Sequence, residues 1–150
     1  MRVVLQRCSR AQVRIDDKVV GQIGRGFLLL VGITDGDTQA EAELLAKKVA
    51  QMRVFEDAEG KMNLGLQEVN GAILSISQFT LYADCRKGNR PSFIRAARPE
   101  TAIPLYELFL KRLAEISTRE VQSGEFGAMM AVELLNDGPV TIIIDSKNRE

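Results

Sequence analysis

Two short segments carry the groups most able to do chemistry: Ser77-Gln78-Phe79-Thr80 at the end of an apolar run, and Asn136-Asp137-Gly138-Pro139 between two apolar runs. The first offers two hydroxyls, an amide side chain and the main-chain N–H groups of a strand end, which can bind a carbonyl oxygen and stabilise an oxyanion. The same segment also reads as a strand end whose hydroxyls face water or bond a neighbouring strand. Thr80 is the obvious nucleophile, but an unassisted threonine hydroxyl is weak at neutral pH. The chain has no histidine, which excludes Ser-His-Asp and Cys-His mechanisms and His-ligated metal sites. Cys8 and Cys85 lie far apart without CxxC spacing, so they read as ordinary reduced residues. Hydrolysis here would have to draw on backbone amides, hydroxyls, carboxylates, lysines or the substrate itself.

The elements that must position these groups belong to one domain, 1–150, since 150 residues with 45% hydrophobic content can build a single proper core. No apolar stretch approaches the roughly 20 residues needed to cross a bilayer, and no leader-like segment follows Met1, so a soluble cytoplasmic protein is expected. Ala11, Val13 and Ile15 alternate with polar residues as in a half-buried strand, and Val3 and Leu5 suggest another before it. Phe27 to Val31 is unbroken and apolar, which predicts a central strand covered on both faces. Thr38 with Glu41 forms a capping box ahead of a helical repeat running to about Arg53. A second helix should follow Pro99, its regular part beginning near Pro104. Ala72 to Leu81, Met129 to Leu135 and Val140 to Ile144 read as strands. The expected architecture is a strand-rich α/β domain, mostly antiparallel, with external helices. Gly21 to Gly26 lacks dinucleotide-loop spacing and reads as turn residues.

Taken together, Ser77-Gln78-Phe79-Thr80-Leu81 and Asn136-Asp137-Gly138-Pro139-Val140-Thr141 resemble the paired signature of the D-aminoacyl-tRNA deacylases, and the likeness extends along nearly the whole chain. The resemblance implies a layered sandwich or barrel that hydrolyses the ester of D-aminoacyl-tRNA without metal or organic cofactor. Ser77, Gln78, Phe79 and Thr80 would bind the aminoacyl group, largely through main-chain atoms, and a neighbouring ribose hydroxyl would assist the reaction. The resemblance also implies a homodimer in which a cis Gly138-Pro139 loop enters the partner's pocket and crowds the side chain of any L-amino acid. Glycyl-tRNA, with no side chain to clash, would then be cleared as well. From sequence alone Gly138-Pro139 reads equally as a turn joining two strands. Arg7 is a candidate to hold the dipeptide, while Phe126, Met130 and Ala102 are candidates for the pocket near the terminal adenosine or for core packing.

Arg86, Lys87, Arg90, Arg95 and Arg98 fall in 13 residues with no acid among them, although net charge is zero overall. The stretch is either a solvated loop or a phosphate-contacting surface that holds tRNA; its closeness to Ser77–Thr80 favours the second. Two other activities fit the same residues: a non-catalytic tRNA-binding dimer, and a small-molecule esterase that uses Thr80 covalently.

Overall fold

The computed structural model describes residues 1–148. Its frame is one long hairpin. β1 (Arg2–Ile15) turns at Asp16 and Asp17, both in the left-handed region as a tight two-residue turn requires, and returns as β2 (Lys18–Ile23) and β3 (Gly26–Gly32). Both return strands pair antiparallel with β1, β2 against its second half and β3 against its first. The two short strands expected at Val3–Leu5 and Ala11–Ile15 are therefore a single strand. A partner along its full length keeps it continuous.

β8 (Ala131–Asp145) runs antiparallel along the other edge of β1. Gln6 pairs with Thr141 and Cys8 with Asn136, so Arg7 alone faces four β8 residues, Asp137 to Val140. The excess chain loops out of the ladder. Gly138-Pro139 is thus an outward bulge in one strand rather than a turn joining two, and its peptide bond is cis.

β3 is central and almost entirely buried, as expected from its unbroken apolar run. Beyond it lie β6 (Ala72–Ser77) and β7 (Val121–Ser123), both parallel to their neighbours. The crossovers carry α1 (Gln39–Ala50), the small hairpin of β4 (Phe55–Glu56) and β5 (Met62–Leu64), and α2 (Pro99–Ser117). Four of the six strand pairings are antiparallel, in keeping with the expected class. Gln22 N–H donates to the Gln122 side chain at 2.8 Å, so β2 curls toward β7 and the sheet is nearly a barrel.

The two helices pack on one face of the sheet over Val3, Leu5, Phe27, Leu29 and Ile73, with Phe109 of α2 buried among them and Phe27 and Phe55 stacked at 5.4 Å. Cys8, Val13, Leu28, Leu74 and Ile76 fill the opposite, concave face. The α1 capping box forms as read from Thr38 and Glu41. α2 starts at Pro99, in the stretch expected, but it is regular from there, with Pro104 inside it rather than at the start of its regular part. The N–H that Pro104 lacks would have served the carbonyl of exposed Glu100 in the first turn, where water can replace it.

Candidate functional site

β6 ends at Ser77, not at Leu81, because the chain there folds into a 3₁₀ turn, Phe79–Tyr82. The last ladder bond runs from Gln78 N–H to Val31 C=O at 2.8 Å. The turn sits against the end of β3 so closely that a Cβ on Gly32 would lie 3.0 Å from Leu81 Cβ and 3.1 Å from Gln78 O. Glycine is needed for that approach. The first turn bond is Leu81 N–H to Gln78 C=O, so the N–H groups of Phe79 and Thr80 precede any intrahelical acceptor. The available donors are those of Phe79 and Thr80, whereas the Gln78 amide is already engaged.

Phe79 lines a cleft of about 290 Å³ at the C-terminal ends of the parallel strands β3 and β6, the usual place for ligands in sheets of this kind, and Thr80 follows it just outside the lining. Ser77, Gln78, Phe79, Ala102, Phe126 and Met130 all line it, bringing together six of the residues singled out from sequence. Val31, Ile33, Ala97, Met129 and Val132 are among the other lining residues and were not singled out. Only the end of the β3 run and the adjacency of Met129 to Met130 pointed to them. The lining is largely apolar, and main-chain and amide groups supply its polarity.

Thr80 is exposed and outside the lining; its Oγ1 accepts a short hydrogen bond from Gln78 Nε2. Tyr106 Oη donates to Ser75 Oγ at 3.1 Å, and its ring lies 6.1 Å from that of Phe126. Burial pushes the Tyr106 phenol up to about 12, partly offset by Ser75, so it positions Phe126 without titrating near neutrality. The Cys8 thiol is pushed up to about 11, chiefly by burial, which keeps it from thiolate chemistry. Cys85 is exposed and free. Among the described residues no three His, Cys, Asp or Glu side chains come together as a metal site.

Gly138 and Pro139 are exposed and do not line the cleft of their own chain. Their bulge is fixed from beneath. Arg7 is only 5% exposed; its Nε donates to Asp137 O at 3.1 Å, its Nη1 donates to Val54 O at 2.7 Å, and Asp137 Oδ2 lies 3.4 Å from Nε. Asn136 Nδ2 donates to Arg7 O and Val140 O at 2.9 and 3.1 Å. Gly138 has φ +123°, and a Cβ there would lie 2.9 Å from Arg7 Nη2.

The basic stretch meets the cleft at Ala97, which lines it, and at Phe93, whose ring packs on that of Phe79. Asp84 and Ser92 exchange backbone hydrogen bonds that close it into a loop, and Ala97 N–H donates to Ile33 C=O at 2.9 Å. Arg86 is tied to Asp84, whose carboxyl is held well below the usual range, first by that hydrogen bond. Arg98 lies 3.8 Å from Glu100. Among the described residues Lys87, Arg90 and Arg95 enter no ion pair. The acid missing within the stretch is thus supplied from just before it, and Arg86 loses most of its free charge.

Comparison with known proteins agrees with this geometry. Residues 4–145 match a family model described as D-Tyr-tRNA(Tyr) deacylase. A D-aminoacyl-tRNA deacylase of Akkermansia muciniphila is 59% identical over 150 residues, covering 100% of both chains. One of Thermus aquaticus is 56% identical over 149 residues, covering 99% of this chain and 97% of the relative. A solved structure described as c-Myc DNA Unwinding Element Binding Protein superposes with a TM-score of 0.89 at 40% identity, covering 97% of this chain and 98% of the other. A probable eukaryotic D-amino acid tRNA deacylase superposes with a TM-score of 0.81 at 20% identity, covering 95% and 97%, a likeness of fold.

Proposed function

The chain belongs to the D-Tyr-tRNA(Tyr) deacylase family, and from that premise we propose that its cleft binds the D-aminoacyl ester of a tRNA 3′ end and hydrolyses it through main-chain donors. The enzyme is a D-aminoacyl-tRNA deacylase, a carboxylic ester hydrolase. One observation carries the mechanistic reading: two successive N–H groups lack intrahelical acceptors, that of Phe79 in the wall of an apolar cleft and that of Thr80 next to it in the chain.

The ester carbonyl oxygen accepts from these amides, and water attacks the carbon with help from the vicinal ribose hydroxyl. The oxyanion that develops is held by donors already in place, each worth about 10² to 10³ in rate in comparable sites. Collapse releases the D-amino acid and leaves the tRNA with a free 3′ hydroxyl. Thr80 contributes a hydroxyl steadied by Gln78, which positions the ester rather than attacking it. Phe126, Met130 and Ala102 pack against the ester end, and Lys87, Arg90 and Arg95, with Arg86 as a lesser contributor, contact phosphates.

Selection against L-amino acids comes from a second subunit. The working form is a homodimer in which each Gly138-Pro139 bulge enters the other's cleft and turns its carbonyl oxygens toward the space an L side chain would need. Backbone atoms reject every L side chain alike, and glycine, having none, is accepted and cleared. Exposed Val132, Leu135 and Ile143 on β8 offer apolar surface for such a contact, and Arg7 keeps the bulge rigid enough to serve.

Incubation of purified protein with D-tyrosyl-tRNA in the presence of a chelator tests this activity. The expected result is loss of the ester with recovery of intact, rechargeable tRNA well above the spontaneous rate. Binding without hydrolysis would replace the enzyme with a tRNA-binding dimer.

A further inference from the structure

An exposed pair of aromatic rings stands at the cleft, Phe79 in its wall and Phe93 in the basic loop. Phe79 is 55% and Phe93 38% exposed, with ring centroids 5.1 Å apart and planes at 77°. An edge-to-face pair engages the edge of one ring, so that ring keeps both of its faces free of the other. The pair is held firmly: the Asp84–Ser92 bonds of 2.8 and 3.0 Å close the loop, and Phe93 C=O accepts from Ala96 N–H at 3.0 Å. Phe79 lines the cleft itself. The loop that carries Phe93 also carries Lys87, Arg90 and Arg95, which enter no ion pair among the described residues. Aromatic faces set among free cations are the elements that single-stranded nucleic acid uses, since every base has a face to stack and every nucleotide a phosphate to neutralise.

We propose that Phe93, braced by Phe79, is a stacking platform for an unpaired base of the tRNA 3′ end, next to the esterified nucleotide in the cleft. The inference rests on the deacylase reading and adds a sequence-tolerant anchor to it. The ring fixes the direction from which the single strand enters. The cations hold its phosphates, and the ester is thereby delivered to the Phe79 and Thr80 amides.

Two measurements test it. An acceptor-stem RNA hairpin carrying 2-aminopurine at an unpaired 3′ position should be quenched on binding wild type and Phe93→Tyr, but not Phe93→Leu. In steady-state kinetics Phe93→Leu should raise the ratio of KM for D-tyrosyl-tRNA to KM for 3′-O-D-tyrosyladenosine about tenfold, the scale of one lost base stack. Equal quenching by Phe93→Leu would overturn the proposal. So would an equal rise of KM on both substrates, which would mark Phe93 as a strut of the cleft, or a shift from dimer to monomer, which would mark it as interface. Failure of wild type to hydrolyse either ester would overturn the deacylase reading instead, and the quenching result would still decide the stacking claim.

Discussion

At the scale of single residues, the proposed catalysis falls to amides that no side-chain substitution removes. Thr80→Ala should therefore keep substantial deacylase activity, with a loss of about tenfold in kcat/KM, of the order of one or two hydrogen bonds. Loss beyond about a thousandfold, or a trapped acyl-enzyme, would make Thr80 the nucleophile. The chain has no histidine, and burial pushes Cys8 to about 11 and Tyr106 to about 12. Both groups stay protonated and neutral throughout pH 6 to 8, so kcat corrected for spontaneous hydrolysis should show no bell-shaped optimum there. A bell would reveal an acid–base pair that the account lacks. The sequence located Ser77, Gln78, Phe79, Ala102, Phe126 and Met130 at the cleft, because their segment or their family resemblance marked them. It did not reveal that Gln78 N–H is spent on Val31, since that bond depends on a strand 47 positions earlier in the chain.

At the scale of elements, the β8 bulge is the part under most constraint. Gly138→Ala places a side chain at φ +123° and against Arg7 Nη2 and Val140 Cγ2, each 2.9 Å from the new Cβ. The expected cost is about 1 to 3 kcal/mol, seen as a lower Tm, with the D-over-L preference falling at least tenfold in protein that remains folded. Arg7→Met leaves the carbonyls of Val54 and Asp137 without their donors. It should destabilise by a similar amount and relax selectivity in the same direction. Unaltered selectivity in both variants would separate the bulge from chiral choice. Local signals were read well where the element is local: the Thr38–Glu41 capping box is decided within a few residues. The bulge was not, because its shape comes from pairing Gln6 and Cys8 with Thr141 and Asn136 across the length of the chain. Pro104 misled for the opposite reason: a local rule yielded to a solvent-exposed first turn.

At the scale of the whole molecule, the proposed dimer completes each cleft with the bulge of a second copy. Sedimentation should give twice the chain mass at micromolar concentration. Ile143, 68% exposed on β8, is the side chain through which to test it: Ile143→Asp should shift the protein toward monomer and reduce selectivity as the partner's bulge withdraws. A selective monomer would remove the cross-subunit arrangement. A dimer interface of this kind would leave little trace in composition, since exposed apolar residues on a strand become a candidate contact only once the sheet shows which face is open. The most direct test of the central claim is the initial rate of hydrolysis of four esters, D- and L-alanyl-tRNA and D- and L-tyrosyl-tRNA, by the same enzyme preparation. Rejection by backbone oxygens predicts that both L-esters are spared and both D-esters cleaved, with D/L ratios of the same order for the small and the large side chain. Cleavage of L-alanyl-tRNA alongside D-alanyl-tRNA, with only L-tyrosyl-tRNA excluded, would show that the cleft selects by size, and would contradict the account.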